Sequence, residues 1–195
     1  HVYSHNEICV GQFDHDSSLE IAFFDGEIID LDSSEIQWDF YNNCYGAECY
    51  DIDRDGLDEL VLFKNAALNV YDVEKMSMKW QCPWLYVSDL VKFCDIGSDG
   101  TVEVITAPMH NGHDVKFMCL NGETGDVLWE LQTDIDNRTQ FGVGDFDMDN
   151  TDEIFFTTDP GKSYVLDPFS GEIEWEPKLY EAFSYGTQIS DYDLD

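Results

Sequence analysis

The chain has 195 residues, 43% of them apolar, enough for one domain of ordinary size or a piece of a larger one. Forty-two acidic residues stand against nine lysines and arginines, a formal charge of −33; so few scattered cations build no basic patch, which argues against nucleic acid and anionic membrane surfaces as partners. No apolar run reaches the roughly 18 residues of a spanning helix, so no transmembrane helix and no direct membrane insertion is expected.

Taken in chain order, the elements repeat. An acidic loop opens at Gln12 (QFDHDSSLE), Asp51 (DIDRDGLDE), Asp95 (DIGSDGTVE) and Asp145 (DFDMDNTDE), and DYDLD at Asp191 begins a fifth. Each complete loop runs into an apolar stretch: EIAFF, ELVLF, EVIT and EIFF. Each repeat then passes a turn and ends on a tryptophan, in LDSSEIQW (Trp38), YDVEKMSMKW (Trp80), LNGETGDVLW (Trp129) and LDPFSGEIEW (Trp175). Two landmarks in step define repeats of about 6–42, 43–84, 85–135 and 136–180, with a truncated fifth from 181.

The fourth repeat shows the plan: TQFGVGDF, the acidic loop, EIFFTT, a DPGK turn, SYVLD, a PFSG turn and EIEWEP. Turn formers punctuate runs of Val, Ile, Phe, Tyr and Trp, so each repeat reads as four short strands. Four strands in 40–50 residues is the period of a β-propeller blade. The expectation is an all-β chain, a β-propeller segment of four-stranded antiparallel blades over 1–195, almost free of helix and part of a larger propeller. The tryptophans should lie on the fourth strands, mostly buried by packing between blades rather than free to stack on sugars.

The loops carry the chemistry. Counted from the first residue, positions 1, 3 and 5 set side chains around one centre, position 7 offers a carbonyl and position 9 returns a carboxylate from the next strand. That is the oxygen set a calcium ion takes. The second loop is fullest, with Asp51, Asp53, Asp55, the Leu57 carbonyl and Glu59, and Gly56 at the bend. The fourth offers Asp145, Asp147, Asp149, Thr151 and Glu153. The third offers Asp95, Asp99, Thr101 and Glu103 but has Gly97 at position 3. The first offers Asp14, Asp16 and Glu20 but has Gln12 at position 1. Affinity should fall in that order with the number of charges. Asp58 should face away from its loop and tolerate Asn. The acid at position 9, with a strand following at once, argues against an EF-hand, whose closing Glu stands at position 12 between helices. The competing reading is that the acids only form Asx turns.

Six cysteines include no CxxC pair, which argues against a zinc ribbon or a thioredoxin motif. Their even number fits disulfides in an oxidising compartment, with buried free thiols as the alternative. Cys44 and Cys49, separated by YGAE, are the pair expected to bridge. His110, His113 and Asp114 offer a zinc set, but the Asn-Gly between the histidines reads as a hairpin turn. No nucleophile motif of the GxSxG or HExxH kind occurs.

At VGDFDMDNTDEIFF and VGQFDHDSSLEIAFF the sequence resembles the FG-GAP/VCBS repeats of integrin-α-type propellers, and the resemblance runs over essentially the whole chain. It implies calcium in the loop between the first and second strands of each blade, held by the residues above. The chain departs from the family pattern in carrying Glu at position 9 in all four loops, and Gln12 and Gly97 at ligand positions. The expected function is that of a non-enzymatic, calcium-stabilised extracellular or cell-surface module that binds a protein or glycan ligand, with further blades or domains of the same polypeptide. The alternative is the propeller of a polysaccharide lyase, whose rhamnogalacturonan-cleaving members carry similar loops, or of a PQQ-like enzyme, which the LNGETGDVLWE and LDPFSGEIEWE hairpins resemble. The few unclustered cations favour the first.

Overall fold

The computed structural model describes residues 8–23, 26–39, 44–83, 91–107, 109–110, 114–133, 140–146, 151–158 and 162–176. The described residues form four antiparallel sheets, one for each complete repeat, and the chain is an all-β protein built of propeller blades. Strands β1 (Ile8–Gly11), β2 (Glu20–Phe23), β3 (Glu27–Asp30) and β4 (Ile36–Asp39) make the first. Strands β5 (Cys44–Tyr50), β6 (Glu59–Lys64), β7 (Ala67–Asp72) and β8 (Ser77–Pro83) make the second. The third joins β9 (Val91–Cys94), β10 (Glu103–Thr106), β12 (Asp114–Asn121) and β13 (Val127–Thr133). It also carries a two-residue strand β11 (Met109–His110) paired to β12, with His110 opposite Asp114. Residue 113 of the candidate zinc set lies outside the described residues. Strands β14 (Gln140–Gly144), β15 (Glu153–Thr158), β16 (Lys162–Leu166) and β17 (Ile173–Trp175) make the fourth. A 3-10 turn at Ile96–Ser98 is the only helical element among the described residues, so none of their helices is long and apolar enough to cross a membrane.

Contacts divide the chain into two units, His1–Asp89 with Gly122–Gly125, and Leu90–Asn121 with Asp126–Asp195. In the first unit, Phe13, Ala22, Ile28, Ala47, Leu60 and Leu62 form one core. In the second, Phe117 packs on Phe141 and Phe156 at ring distances of 5.6 and 4.6 Å. The edge strand β1 alternates exposed and buried residues and β2 beside it alternates buried and half-buried ones, while β6 and β10 of the second and third sheets are buried almost throughout.

One irregularity recurs. Where the third strand of each sheet meets the fourth, the register shifts at a bulge. Trp38, Trp80, Trp129 and Trp175 pair with Ile28, Val70, Cys119 and Val165, and the residue before each tryptophan is skipped: Gln37, Lys79, Leu128 and Glu174. A bulge re-aims the side chain it extrudes.

The tryptophans are on the fourth strands, as the repeat predicts, but their burial is graded. Trp80 is 7% exposed, Trp38 and Trp129 are half-buried and Trp175 is 59% exposed. Within the first unit the Trp80 indole N–H donates to Gly122 O at 2.6 Å, and in the second Trp129 donates to Pro168 O at 2.7 Å. Each ring lies over a turn glycine of positive φ, Gly125 or Gly171, where an added Cβ would strike it. Packing on the next repeat's turn thus accounts for Trp80 and Trp129.

The expected bridge between Cys44 and Cys49 is ruled out by geometry. Both lie on the one extended strand β5, where five residues at about 3.3 Å each separate them well beyond the roughly 7 Å a disulfide spans. None of the six cysteines is in a disulfide.

Candidate functional site: the acidic loops

Each loop is closed by its position-9 glutamate. Glu20 Oε2 accepts the backbone N–H of Phe13 at 2.6 Å, Glu59 that of Ile52 at 2.8 Å, Glu103 that of Ile96 at 2.8 Å and Glu153 that of Phe146 at 2.9 Å. All four glutamates are buried. In the first three loops the apolar residue at position 2 (Phe13, Ile52, Ile96) is buried, and its N–H would otherwise be an unpaired donor there; Phe146 in the fourth is half-buried. This lock uses one carboxylate oxygen and leaves the other for the loop's centre.

The remaining acids do form Asx turns. Asp14 accepts the Asp16 N–H, and Asp16, Asp55 and Asp99 accept the N–H two residues on, at 2.6–2.9 Å. Asp51 and Asp95 accept the N–H of the bend glycines Gly56 and Gly100 at 3.1 and 3.2 Å. Turn formation therefore accounts for at least one oxygen of each of these acids, and for both of Asp95. It leaves Asp51 Oδ1, Asp53 Oδ1 and Glu20 Oε1 buried without a hydrogen-bond partner. Asp51, Asp53 and Glu59 each bring an oxygen within 4.8 Å of the others, and so do Asp14, Asp16 and Asp30.

Asp30 was not legible as a site residue. It ends β3 opposite Glu20 and caps the following turn by accepting the N–H groups of Asp32 and Ser33. The signal was present in the repeat: Asp30, Asp72, Asn121 and Asp167 each stand eight residues before the tryptophan. The bonds from Ser33 and Asp32, working against its burial, hold the Asp30 carboxyl below its ordinary range. Burial pushes Glu20, Glu59 and Glu103 up; the position-2 N–H opposes this in each, and neighbouring acids add to it.

Two loops carry internal donors. The Lys79 ammonium, extruded at the bulge of β8, lies 2.5 Å from Asp53 Oδ2 and 3.1 Å from Glu59 Oε1. Burial works against its charge, and the two carboxylates overcome this and raise its pKa. Gln37, at the bulge of β4, donates to Asp14 Oδ2 at 2.7 Å, and the Gln12 amide reaches Asp14 O and Asp16 O at 2.6 and 3.2 Å. The corresponding bulge residues of the third and fourth sheets, Leu128 and Glu174, are exposed and bring no donor.

Asp58 does not point idly away from its loop. Its Oδ2 accepts the Gln12 N–H at 2.8 Å and its own N–H donates to Gln12 O at 2.7 Å, tying the second loop to the first. At the same position in the fourth loop, Asp152 is raised by burial and then by Asp145 and Asp95. Asp147 and Asp149 lie outside the described residues.

Sheets of four antiparallel strands joined by acidic first-to-second-strand loops define a β-propeller module. The solved structures it resembles agree. BamB from Moraxella catarrhalis aligns with a TM-score of 0.60 at 15% identity over 94% of this chain and 52% of its own. BBS1N, solved in complex with ARL6DN, aligns with a TM-score of 0.60 at 12% identity over 91% of this chain and 58% of its own. The chain thus spans about half the length of either, and at these identities the likeness is one of fold. No protein-family model and no curated protein sequence matches the chain.

Proposed function

We propose that this chain is a calcium-stabilised, non-enzymatic propeller module of the FG-GAP/VCBS kind. It works outside the cell or at its surface, presents its loops to a protein or glycan ligand, and belongs with further blades or domains of the same polypeptide. The observation that carries the calcium reading is the set of buried carboxylate oxygens without donors, Glu20 Oε1, Asp51 Oδ1 and Asp53 Oδ1, gathered beside other acids. A buried anionic oxygen is costly unless a donor or cation meets it. A donor set made only of oxygen suits a hard divalent ion.

The residues that would hold calcium are Asp14, Asp16 and Glu20, joined by Asp30; Asp51, Asp53, Asp55, Glu59 and the Leu57 carbonyl; Asp95, Asp99, Glu103 and the Thr101 carbonyl; and Asp145, Asp147, Asp149, Glu153 and the Thr151 carbonyl. Lys79 already supplies positive charge to the second loop, so counting acids overstates that loop's need. The fourth and third loops should then bind before it. Calcium would fix the turn between the first two strands of a blade, and with it the blade's register. The BBS1N propeller with its bound ARL6DN supports a protein ligand. The absence of a nucleophile motif or a basic cluster from the sequence supports a non-enzymatic role.

Calorimetric titration of EDTA-stripped protein with calcium chloride tests the reading. A saturable heat, with a melting temperature that rises with calcium and not with equal magnesium, is expected. No heat and an unchanged melting temperature would leave the acids as turn formers alone.

A further inference from the structure

Of the four repeat tryptophans, Trp175 alone stands mostly in water, 59% exposed, with Ile173 and Phe169 of the same repeat exposed too. Its strand gives no reason for this: Trp175 pairs with Val165 across the same bulge that sets Trp80 opposite Val70 and Trp129 opposite Cys119. The difference lies in what receives the ring. Trp80 and Trp129 share one kind of seat, the turn between the third and fourth strands of the following sheet. There the indole N–H donates to the carbonyl three residues before a glycine of positive φ, Gly122 before Gly125 and Pro168 before Gly171, and the ring covers the glycine. A backbone bond closes each turn, Asn121 N–H to Asp126 O and Asp167 N–H to Glu172 O, both at 2.9 Å. The glycine is required, since an added Cβ at Gly125 would stand 2.6 Å from the Trp80 ring. The same turns of the first two sheets carry Ser34 and Met76 at positive φ instead, and on the second sheet Trp38 packs edge-on against Tyr71 at 5.9 Å. Among the described residues both glycine seats of this kind are therefore filled.

We infer that Trp175 is a docking residue and that its seat is a third glycine turn, the one between the third and fourth strands of the repeat that DYDLD opens at Asp191. The inference rests on the reading that further blades of the same polypeptide follow, and it needs no calcium. Asp191 stands 46 residues after Asp145, where the two preceding loop spacings are 44 and 50, so the repeat keeps its period to that point. Trp80 and Trp129 each dock on the sheet after their own, and continuing that interface by one repeat brings the next turn onto Trp175. The chain spans about half the length of the BamB and BBS1N structures, so the fold has room for such a repeat. The seat is thereby specified chemically: a glycine of positive φ beneath the ring and, three residues earlier, a carbonyl to accept the indole N–H. A second copy of this chain is the poorer occupant, because its glycine turns are covered and Ser34 and Met76 bring a Cβ to the others. An indole has a large apolar face and one donor, and when buried it finds a partner for that N–H.

The test compares the native chain with a lengthened one. Joining a second copy of residues 145–195 after Ser190 puts DFDMD in place of DYDLD and adds one repeat in register, with its own LDPFSGE turn. In the native chain, indole N–H exchange followed by NMR should show Trp175 exchanging freely and Trp80 and Trp129 protected, with the Trp175 signal assigned from Trp175→Phe. In the lengthened chain the Trp175 N–H should become protected as well. Trp175→Ala should lower the melting temperature by about 1 °C in the native chain and by about 10 °C in the lengthened one. Alanine in place of the added turn's glycine should cost less once Trp175→Ala is present, because the two sites are coupled through the seat. A folded added repeat that leaves Trp175 exchanging freely would overturn the docking inference and leave the reading of further blades standing. An added repeat that stays unfolded, seen as no gain of strand signal in circular dichroism, would overturn both. A native chain that dimerises in sedimentation, and no longer does so as Trp175→Ala, would give the ring to a second copy and overturn the inference too. The exchange measurement on the lengthened chain needs no destabilising variant, so a mutant that fails to fold does not blur the outcome.

Discussion

Gln37 and Lys79 stand at the bulge of the first two sheets; Leu128 and Glu174 stand at the same bulge of the last two. The first pair turn donors onto the acidic loops, and the second pair do not. The neighbouring repeats widen the contrast. Asp58 meets the Gln12 N–H, whereas Asp152 is crowded by Asp145 and Asp95. Two copies of one loop therefore differ in what meets their charge: the bulge residue supplies a donor from within the chain in one and none in the other. The bulge residue, which a sequence repeat treats as filler, decides between them.

The largest effect should follow from removing the internal cation. Lys79→Met leaves Asp53 and the buried Glu59 uncompensated. It should cost about 3–5 kcal/mol of unfolding free energy in EDTA and distinctly less in millimolar calcium, as denaturant melts in both conditions would show. An equal loss in both would mean that Lys79 serves packing rather than charge. Next comes calcium itself. At a hundredfold excess over its Kd, each site should add about 2.7 kcal/mol. Transplanting a donor by Glu174→Lys should remove much of the fourth loop's share, seen as a smaller calcium-dependent rise in melting temperature. An unchanged rise would break the comparison.

Asp58→Ala should cost about 1–2 kcal/mol by leaving the Gln12 N–H without its acceptor. Asp58→Asn keeps a carbonyl oxygen and should cost little, so the tie between the loops is one of hydrogen bonding rather than charge.

The pH dependence separates the same contributions. Glu20, Glu59 and Glu103 hold protons more tightly folded than unfolded. In EDTA, stability should therefore rise as pH falls from neutral towards their ordinary value of 4.5. Asp30 and Asp72 are held low, so their contribution is present above the ordinary 3.8 and is lost only as pH falls through their folded values. A melting-temperature maximum at mildly acidic pH is expected in EDTA, moving towards neutral in calcium, where protons compete with the ion. The smallest effect is Asp152→Asn, which should gain a few tenths of a kcal/mol in EDTA by relieving like-charge crowding; a loss would mean that the carboxylate accepts a bond worth keeping.

The sequence by itself determined the blade. Strand alternation, turn residues and the twin landmarks of acidic loop and tryptophan are local patterns, and local patterns survive in one dimension. The loops' position-9 glutamates were legible as site residues for the same reason, although their closing bond to the position-2 N–H was not. Only the tertiary structure decided which charges are met. A one-residue bulge aims Lys79 and Gln37 at loops more than twenty residues away. Asp30 reaches its loop across a strand pair, and Asp58 reaches a loop 46 residues earlier. The tertiary structure likewise ruled out Cys44 as a bridging partner for Cys49, near it in sequence but held apart by an extended strand. Extended chain carries sequence neighbours apart at about 3.3 Å per residue, while packing brings distant strands side by side, so spacing along the chain reads turns well and partners poorly.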